Sequence, residues 1–319
     1  MSKKHALYAI LALLPLAGAL VDVRADAAES FNCGAGGKPN AKSGKCDCPG
    51  GKEEKTIGTT SKCVEKDKPI GTVIAPTAKP TSVGTGGGTA NFKAPSSCPL
   101  GMKPVPGGKL TLGETKTDAV VSGFCMDVTE TSVAQYSTCV LTGQCTPAIP
   151  KCVDPDFTPD QVEGCSGYCN VGHADRLNHP LNCVDWGQAT MYCAAMGKRL
   201  PTEEEFEWAA RGATKATNFP WGNQLPDDSR LCWSGTTPDS PRQTSCPVGA
   251  FPSGASPQGI LDLGGGVNEW TSTKVGSATN RIYRGGSWYS NEASRVMATK
   301  RYSEPYDDKS NTLGFRCVK

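Results

Sequence analysis

Sulfur is the main reactive resource of this 319-residue chain, which carries sixteen cysteines, an even number and a high one. Thiols at that density either oxidise in pairs or hold soft metal ions, and the density suits an oxidising compartment better than a reducing cytosol. Cys33, Cys46, Cys48 and Cys63 crowd a Gly/Lys-rich stretch almost devoid of large apolar residues. So small a segment cannot bury a useful core, and it must be held by cross-links or by a four-cysteine zinc ion. Oxidation on export favours the cross-links. Histidine is scarce: only His5, His173 and His179 occur, and the last two stand six apart in loop-like sequence, a poor ligand pair. His179 precedes Pro180 and has a structural explanation. The run Glu203-Glu204-Glu205 opens a helix, where carboxylates meet the positive end of the dipole and need no catalytic role.

Three helices can be placed by their punctuation. Ser132 with Gln135 forms a capping-box pattern, Val133, Tyr136 and Val140 share a face, and Gly143 ends the element. Asp185 with Gln188 opens a second helix, whose stripe is Ala189, Tyr192, Cys193 and Met196 and whose terminator is Gly197. Thr202 with Glu205 opens a third just after Pro201, with Phe206, Ala209 and Ala210 facing inward. Elsewhere short apolar pieces alternate with Gly, Pro, Asn and Asp. The expected fold class is α+β, disulfide-rich and low in regular secondary structure.

Composition sets the outer limits. The formal charge of +2 leaves no electrostatic footprint for nucleic acid or an anionic membrane. Hydrophobic residues at 37% suffice for a globular core, while 37 Gly and 24 Pro require much turn and loop. Lys3 and Lys4, the apolar run Ala6 to Val21 broken by Pro15, and Ala25-Asp26-Ala27 form the pattern of a cleaved export signal. The run is short for a bilayer span, no cysteine follows closely enough for a lipid anchor, and no span is expected after cleavage. The expected organisation is a signal over 1–27, a cysteine-rich segment over 28–65, a Pro/Gly/Thr-rich linker over 66–96 and one domain over 97–319. All six tryptophans lie from Trp186 onward, which concentrates aromatic burial in that domain. The mature protein is expected outside the cytoplasm: periplasmic, cell-surface or extracellular.

Several pieces in register identify a family. They are His179-Pro180-Leu181-Asn182-Cys183-Val184-Asp185-Trp186, Gly197-Lys198-Arg199-Leu200-Pro201-Thr202-Glu203-Glu204-Glu205-Phe206-Glu207-Trp208, and Phe219-Pro220-Trp221-Gly222-Asn223. They continue with Gly265-Gly266-Val267-Asn268-Glu269-Trp270, Arg284-Gly285-Gly286-Ser287-Trp288 and Leu313-Gly314-Phe315-Arg316-Cys317. Val105-Pro106-Gly107-Gly108 and Asp127-Val128-Thr129-Glu130-Thr131 agree with the same domain's opening. From about residue 98 to 319 the chain resembles the formylglycine-generating enzyme (sulfatase-modifying factor) family. The resemblance implies an elaborated α+β fold related to C-type lectins. It also implies, for the enzymes, oxidation of a sulfatase cysteine to formylglycine with oxygen and a copper ion held by two thiolates. Cu(I) is soft, and hydroxyls are poor substitutes for thiolates.

The chain departs from that pattern where the copper would sit. Between Ser287 and Arg301, where the family enzymes place both cysteines, there is none, and the stretch is about two residues shorter. Ser290 falls at the first thiolate position, and the second falls near Ser294 and Arg295. Copper is therefore not expected, and no catalytic residue is assigned. A Ser290 nucleophile would need an activating base, and none is placed beside it. The histidine triad of the related iron-dependent sulfoxide synthases is also missing. The resemblance carries over a calcium site formed by Asp262 and Glu269 carboxylates and Gly265 and Val267 carbonyls, hard ligands that suit Ca²⁺. A second family calcium loop does not match; Cys232 and Cys246 lie there and are expected to pair. Cys193 and Cys317 match a family disulfide, whereas Ala210 and Ala298 stand where another bridge is lost. Cys139 with Cys145 and Cys98 with Cys125 are further expected pairs, and Cys152, Cys165, Cys169 and Cys183 share two more in an open pairing. The expected function is noncatalytic binding of an extracytoplasmic peptide, protein or glycan in the old substrate groove, lined by Trp288, Tyr289, Ser290, Asn291 and Arg301. The alternative is an oxidoreductase of the same type with altered metal chemistry, acting on protein cysteine.

Overall fold

A computed structural model describes residues 92–154, 156–235, 242, 244–276 and 279–319, together with the backbone of four short strands nearer the N-terminus. These strands are β1 (Lys38–Asn40), β2 (Lys45–Asp47), β3 (Lys52–Ile57) and β4 (Thr60–Glu65); β1 pairs with β2 and β3 with β4, both antiparallel. The expected signal, the linker and the pairing of Cys33, Cys46, Cys48 and Cys63 lie outside the described residues. The chain divides into two compact units at Gly86/Gly87.

Among its described residues the second unit mixes four α-helices with short 3-10 turns and short strands. Strands β5 (Met102–Val105), β6 (Gly108–Thr111), β7 (Asp118–Val121) and β8 (Phe124–Asp127) form two antiparallel pairs, β5 with β8 and β6 with β7. Helices α1 (Val133–Leu141), α2 (Pro159–Ser166), α3 (Trp186–Ala195) and α4 (Glu203–Ala210) follow. The last sheet joins β9 (Asn268–Lys274), β10 (Asn280–Arg284), β11 (Arg301–Pro305) and β12 (Leu313–Gly314) in the order β11-β10-β9-β12. Only the β9–β12 pairing in that sheet is parallel.

Each helix starts in a full capping box: Ser132/Gln135, Thr158/Gln161, Asp185/Gln188 and Thr202/Glu205. In this device the side chain of the capping residue and that of the third helical residue reciprocally satisfy backbone N–H groups left without intrahelical partners. Helix α2 is not among the three expected, because none of its residues is buried and no apolar stripe marks it. Met196 departs from its expected inward stripe. It is the C-cap of α3 and 38% exposed, since Gly197 turns the chain with φ 65° directly after it.

The two largest apolar clusters among the described residues form most of the core. One packs Phe206, Trp208, Ala209 and Ala210 of α4 against Val105, Phe124, Met126 and Ile260. The other stacks Tyr136 of α1 on Tyr192 of α3 at 5.6 Å, with Phe315 edge-on to Tyr192 at 5.4 Å and the Cys193–Cys317 bridge among them. Six disulfides occur among the described residues: Cys98–Cys125, Cys139–Cys145, Cys152–Cys165, Cys169–Cys183, Cys193–Cys317 and Cys232–Cys246. The open pairing of the middle four cysteines is thereby resolved.

Buried charge ties the clusters together. Arg284, fully buried, meets Glu203 at 3.2 Å and Glu207 at 2.9 Å, and Arg301 meets Glu203 at 2.9 Å. The dipole explanation of Glu203-Glu204-Glu205 is therefore incomplete for Glu203, which is buried in an ion-pair network. A buried pair of this kind is costly to break because the surviving charge keeps no partner.

Candidate functional site

The site begins where β10 ends. Gly285 and Gly286 take φ values of 103° and 77°, turning the chain from Arg284 into Ser287. A Cβ on Gly286 would lie 2.7 Å from Val296 and 2.8 Å from the Arg295 carbonyl, so only glycine lets the two segments approach. The turn that follows is closed by its own serines. The Ser290 N–H donates to the Ser287 carbonyl at 2.9 Å, and the Ser287 N–H donates to Ser290 Oγ at 3.0 Å. Ser290 is 8% exposed, and its hydroxyl oxygen is occupied in holding the turn.

Two recesses flank this turn. A small polar pocket of about 180 Å³ is lined by Asn268, Tyr283, Tyr289, Ser290, Arg295 and Tyr302, among others. A wider apolar cleft of about 390 Å³ is lined by Phe157, Cys165, Tyr168, Arg242, Trp288 and Tyr289, among others. Tyr289 borders both, with 69% of its surface exposed. The Trp288 ring is buried against Tyr168 at 5.5 Å and Tyr289 at 5.7 Å. Its indole N–H donates to the Asn311 carbonyl at 3.1 Å.

The five residues expected to line one groove thus separate. Trp288 and Tyr289 border the cleft, and Tyr289 and Ser290 border the pocket. Asn291 is exposed beside the turn and lines neither recess. Arg301 does not line them either: its guanidinium donates to both Glu203 oxygens, at 2.9 and 3.1 Å. Asn268 and Arg295, neither expected in the groove lining, do line the pocket, Arg295 standing near the second missing thiolate position. Nothing in the local sequence marks Asn268 as a pocket residue. Burial raises the pKa of the Tyr302 hydroxyl above the ordinary tyrosine range, so it enters the pocket neutral.

Of the residues expected to hold calcium, the two carboxylates, Asp262 and Glu269, interact with Arg316. Glu269 gives both carboxylate oxygens to that guanidinium, at 2.7 Å each, and both residues are fully buried. Asp262 accepts the Gly249 N–H at 2.6 Å, and Glu130, also buried, accepts the Val267 N–H at 2.9 Å. Burial pushes Glu130 well above the usual carboxylate range, with Asp262 and Glu269 adding like charge; burial also raises Asp262 and Glu269, against the pull of Arg316. Three carboxylates, two of them fully buried, share one guanidinium; when ionised they would carry an excess of negative charge that a divalent cation would balance. Glu269 differs from the expectation in being engaged by Arg316, while Glu130 supplies a further carboxylate.

Other candidates are closed. Sγ atoms of Cys152, Cys169 and Cys183 lie within 4.8 Å of one another, but all three are in disulfides and offer no thiolate. No cysteine among the described residues is free. His179 Nδ1 lies 3.0 Å from Ser245 Oγ, while His173 is exposed, so the two histidines form no ligand pair. Burial, aided by Arg176, lowers the His179 pKa and keeps the ring neutral at pH 7.

Comparison with known proteins is consistent with this geometry. The family model described as "Sulfatase-modifying factor enzyme 1-like domain" matches residues 89–319. A bovine protein named "Inactive C-alpha-formylglycine-generating enzyme 2" is 39% identical over 158 residues, 46% of this chain and 52% of that protein. The mouse formylglycine-generating enzyme is 34% identical over 168 residues, 45% of each chain. The chain spans about half the length of these curated relatives. Among solved structures, PvdO from Pseudomonas aeruginosa superposes with a TM-score of 0.53 at 19% identity, over 72% of this chain and 99% of that one. That likeness concerns the fold alone.

Proposed function

The chain belongs to the sulfatase-modifying factor enzyme 1-like domain family through residues 89–319, and from that premise we propose a noncatalytic, exported member that binds an extracytoplasmic peptide, protein or glycan beside Tyr289. The observation that carries this reading is the state of its sulfur. Copper chemistry of the family type needs a pair of thiolates, because a soft ion binds thiolate far better than hydroxyl. Every cysteine from Cys98 to Cys317 is bridged, and Ser290 stands in the turn with its oxygen already accepting a backbone N–H. Relatives named as inactive enzymes support the same reading. Six disulfides fit an oxidising compartment, and no helix among the described residues is long and apolar enough to cross a membrane.

Calcium belongs to the proposal as a structural ion. Asp262 and Glu130 would supply charge and Gly265 and Val267 their carbonyls, with Glu269 holding Arg316 in place. When bound, the ion supplies the positive charge that the buried carboxylates lack. The test of the noncatalytic reading is mass spectrometry of a cysteine peptide incubated with copper-treated protein in air. The peptide is expected to leave unmodified, and its conversion to a formylglycine peptide would overturn the reading.

A further inference from the structure

Two polar groups in the small pocket lack partners of their own. Asn268 Oδ1 is buried and accepts no hydrogen bond. The exposed Arg295 guanidinium forms no ion pair or hydrogen bond among the described residues, although both residues line the same recess. Neighbouring charges are already engaged: Lys300 with Glu114 at 3.0 Å, Arg301 with Glu203, and Glu292 with the Ser294 hydroxyl at 3.1 Å. Arg295 is therefore the cation at this pocket left for a ligand, and its fixed charge opposes a metal cation there.

We infer that the pocket receives the carboxylate of a peptide, which pairs with Arg295 while the adjoining peptide group pairs with the Asn268 carboxamide. A guanidinium matches a carboxylate with charge-assisted hydrogen bonds. The carboxamide carries one acceptor and two donors, so it complements the N–H and C=O of a peptide group. A sulfate or fully ionised phosphate has no donor to offer Asn268 Oδ1 and would leave it unsatisfied. Across Tyr289 the cleft of about 390 Å³ presents Phe157, Tyr168 and Trp288, an apolar recess for an aromatic or aliphatic side chain a residue or two away. The inference rests on the noncatalytic reading of this groove and adds its ligand class.

The experiment is a fluorescence-anisotropy titration of the full chain with labelled Trp-Gly-Gly as free acid, the same peptide amidated, and amidated Trp-Gly-Asp. The two acidic arms separate a terminal carboxylate from a side-chain one. At least one is expected to bind about tenfold more tightly than the amidated Trp-Gly-Gly, the size of one charge-assisted contact. Arg295→Gln, at an exposed position, is expected to fold normally by near-UV circular dichroism and to abolish that preference; Asn268→Ala should weaken all three peptides. Equal binding of acid and amide, or an unchanged preference in Arg295→Gln, would overturn the inference. So would Arg295-dependent binding of methyl glucuronide without peptide binding, which leaves the noncatalytic reading standing. Oxidation of a Cys-containing version of the peptide would instead overturn that reading.

Discussion

Asp308 is the carboxylate whose surroundings make the sharpest prediction. It is 6% exposed, its Oδ1 has no hydrogen-bond partner, and burial together with Asp154, Glu304 and Asp307 raises its pKa to about 7. The nearby Lys309 ammonium is turned to Asp185 at 3.1 Å and gives no relief. In the unfolded chain the same carboxyl ionises near 3.8. The folded state therefore holds a proton that the unfolded state releases between these values. The resulting stability is complete below pH about 4 and is lost as pH rises through about 7. Three pKa units correspond to about 4 kcal/mol, and screening by solvent near the protein surface lowers this to roughly 2 kcal/mol. Asp308→Asn removes the titration while keeping the shape. At pH 3.5, below the unfolded pKa, the variant should match the parent within about 0.5 kcal/mol. At pH 8 it should be more stable by roughly 2 kcal/mol, a rise in Tm of about 4–8 °C for a unit of this size. Thermal unfolding followed by circular dichroism at both pH values, with disulfides intact, gives the comparison. If the two proteins keep a constant Tm difference across that range, or the variant is the weaker at pH 8, the electrostatic account of Asp308 is wrong.

Further outcomes follow from single contacts. Gly266→Ala would place a methyl 2.1 Å from Glu130 Oε1 at φ 68°, so it should cost at least about 2 kcal/mol in chemical denaturation or prevent folding. Replacing Cys193 and Cys317 together by alanine opens a bridge of sequence separation 124, and its loss should lower unfolding free energy by about 4 kcal/mol. Glu203→Gln leaves Arg284 and Arg301 short of charge and should cost roughly 3 kcal/mol, read by urea unfolding. Calcium at about a hundred times its dissociation constant should add about 2.7 kcal/mol to stability, reversed by chelator and absent in Asp262→Asn; an unchanged Tm with and without the ion would remove calcium from the proposal.

Local chemistry made much of this legible in advance. The capping pairs Ser132/Gln135, Asp185/Gln188 and Thr202/Glu205 announce helices because both partners lie within one turn. Helix α2 carries the same device at Thr158/Gln161, but an exposed helix has no apolar period to read. Phe206, Ala209 and Ala210 were legible as core for the opposite reason.

The family, the oxidised chemistry of the cysteines and the lack of a thiol between Ser287 and Arg301 are all legible along the chain. Each of these resides in residue type and near-neighbour spacing. The partition of the expected groove into pocket and cleft was decided only in three dimensions. So were the diversion of Arg301 to Glu203, the capture of Glu269 by Arg316, and the meeting of Asn268 with Arg295. In each case the partners come from segments far apart in the chain, and burial and charge choose among them only after the sheet has brought those segments together.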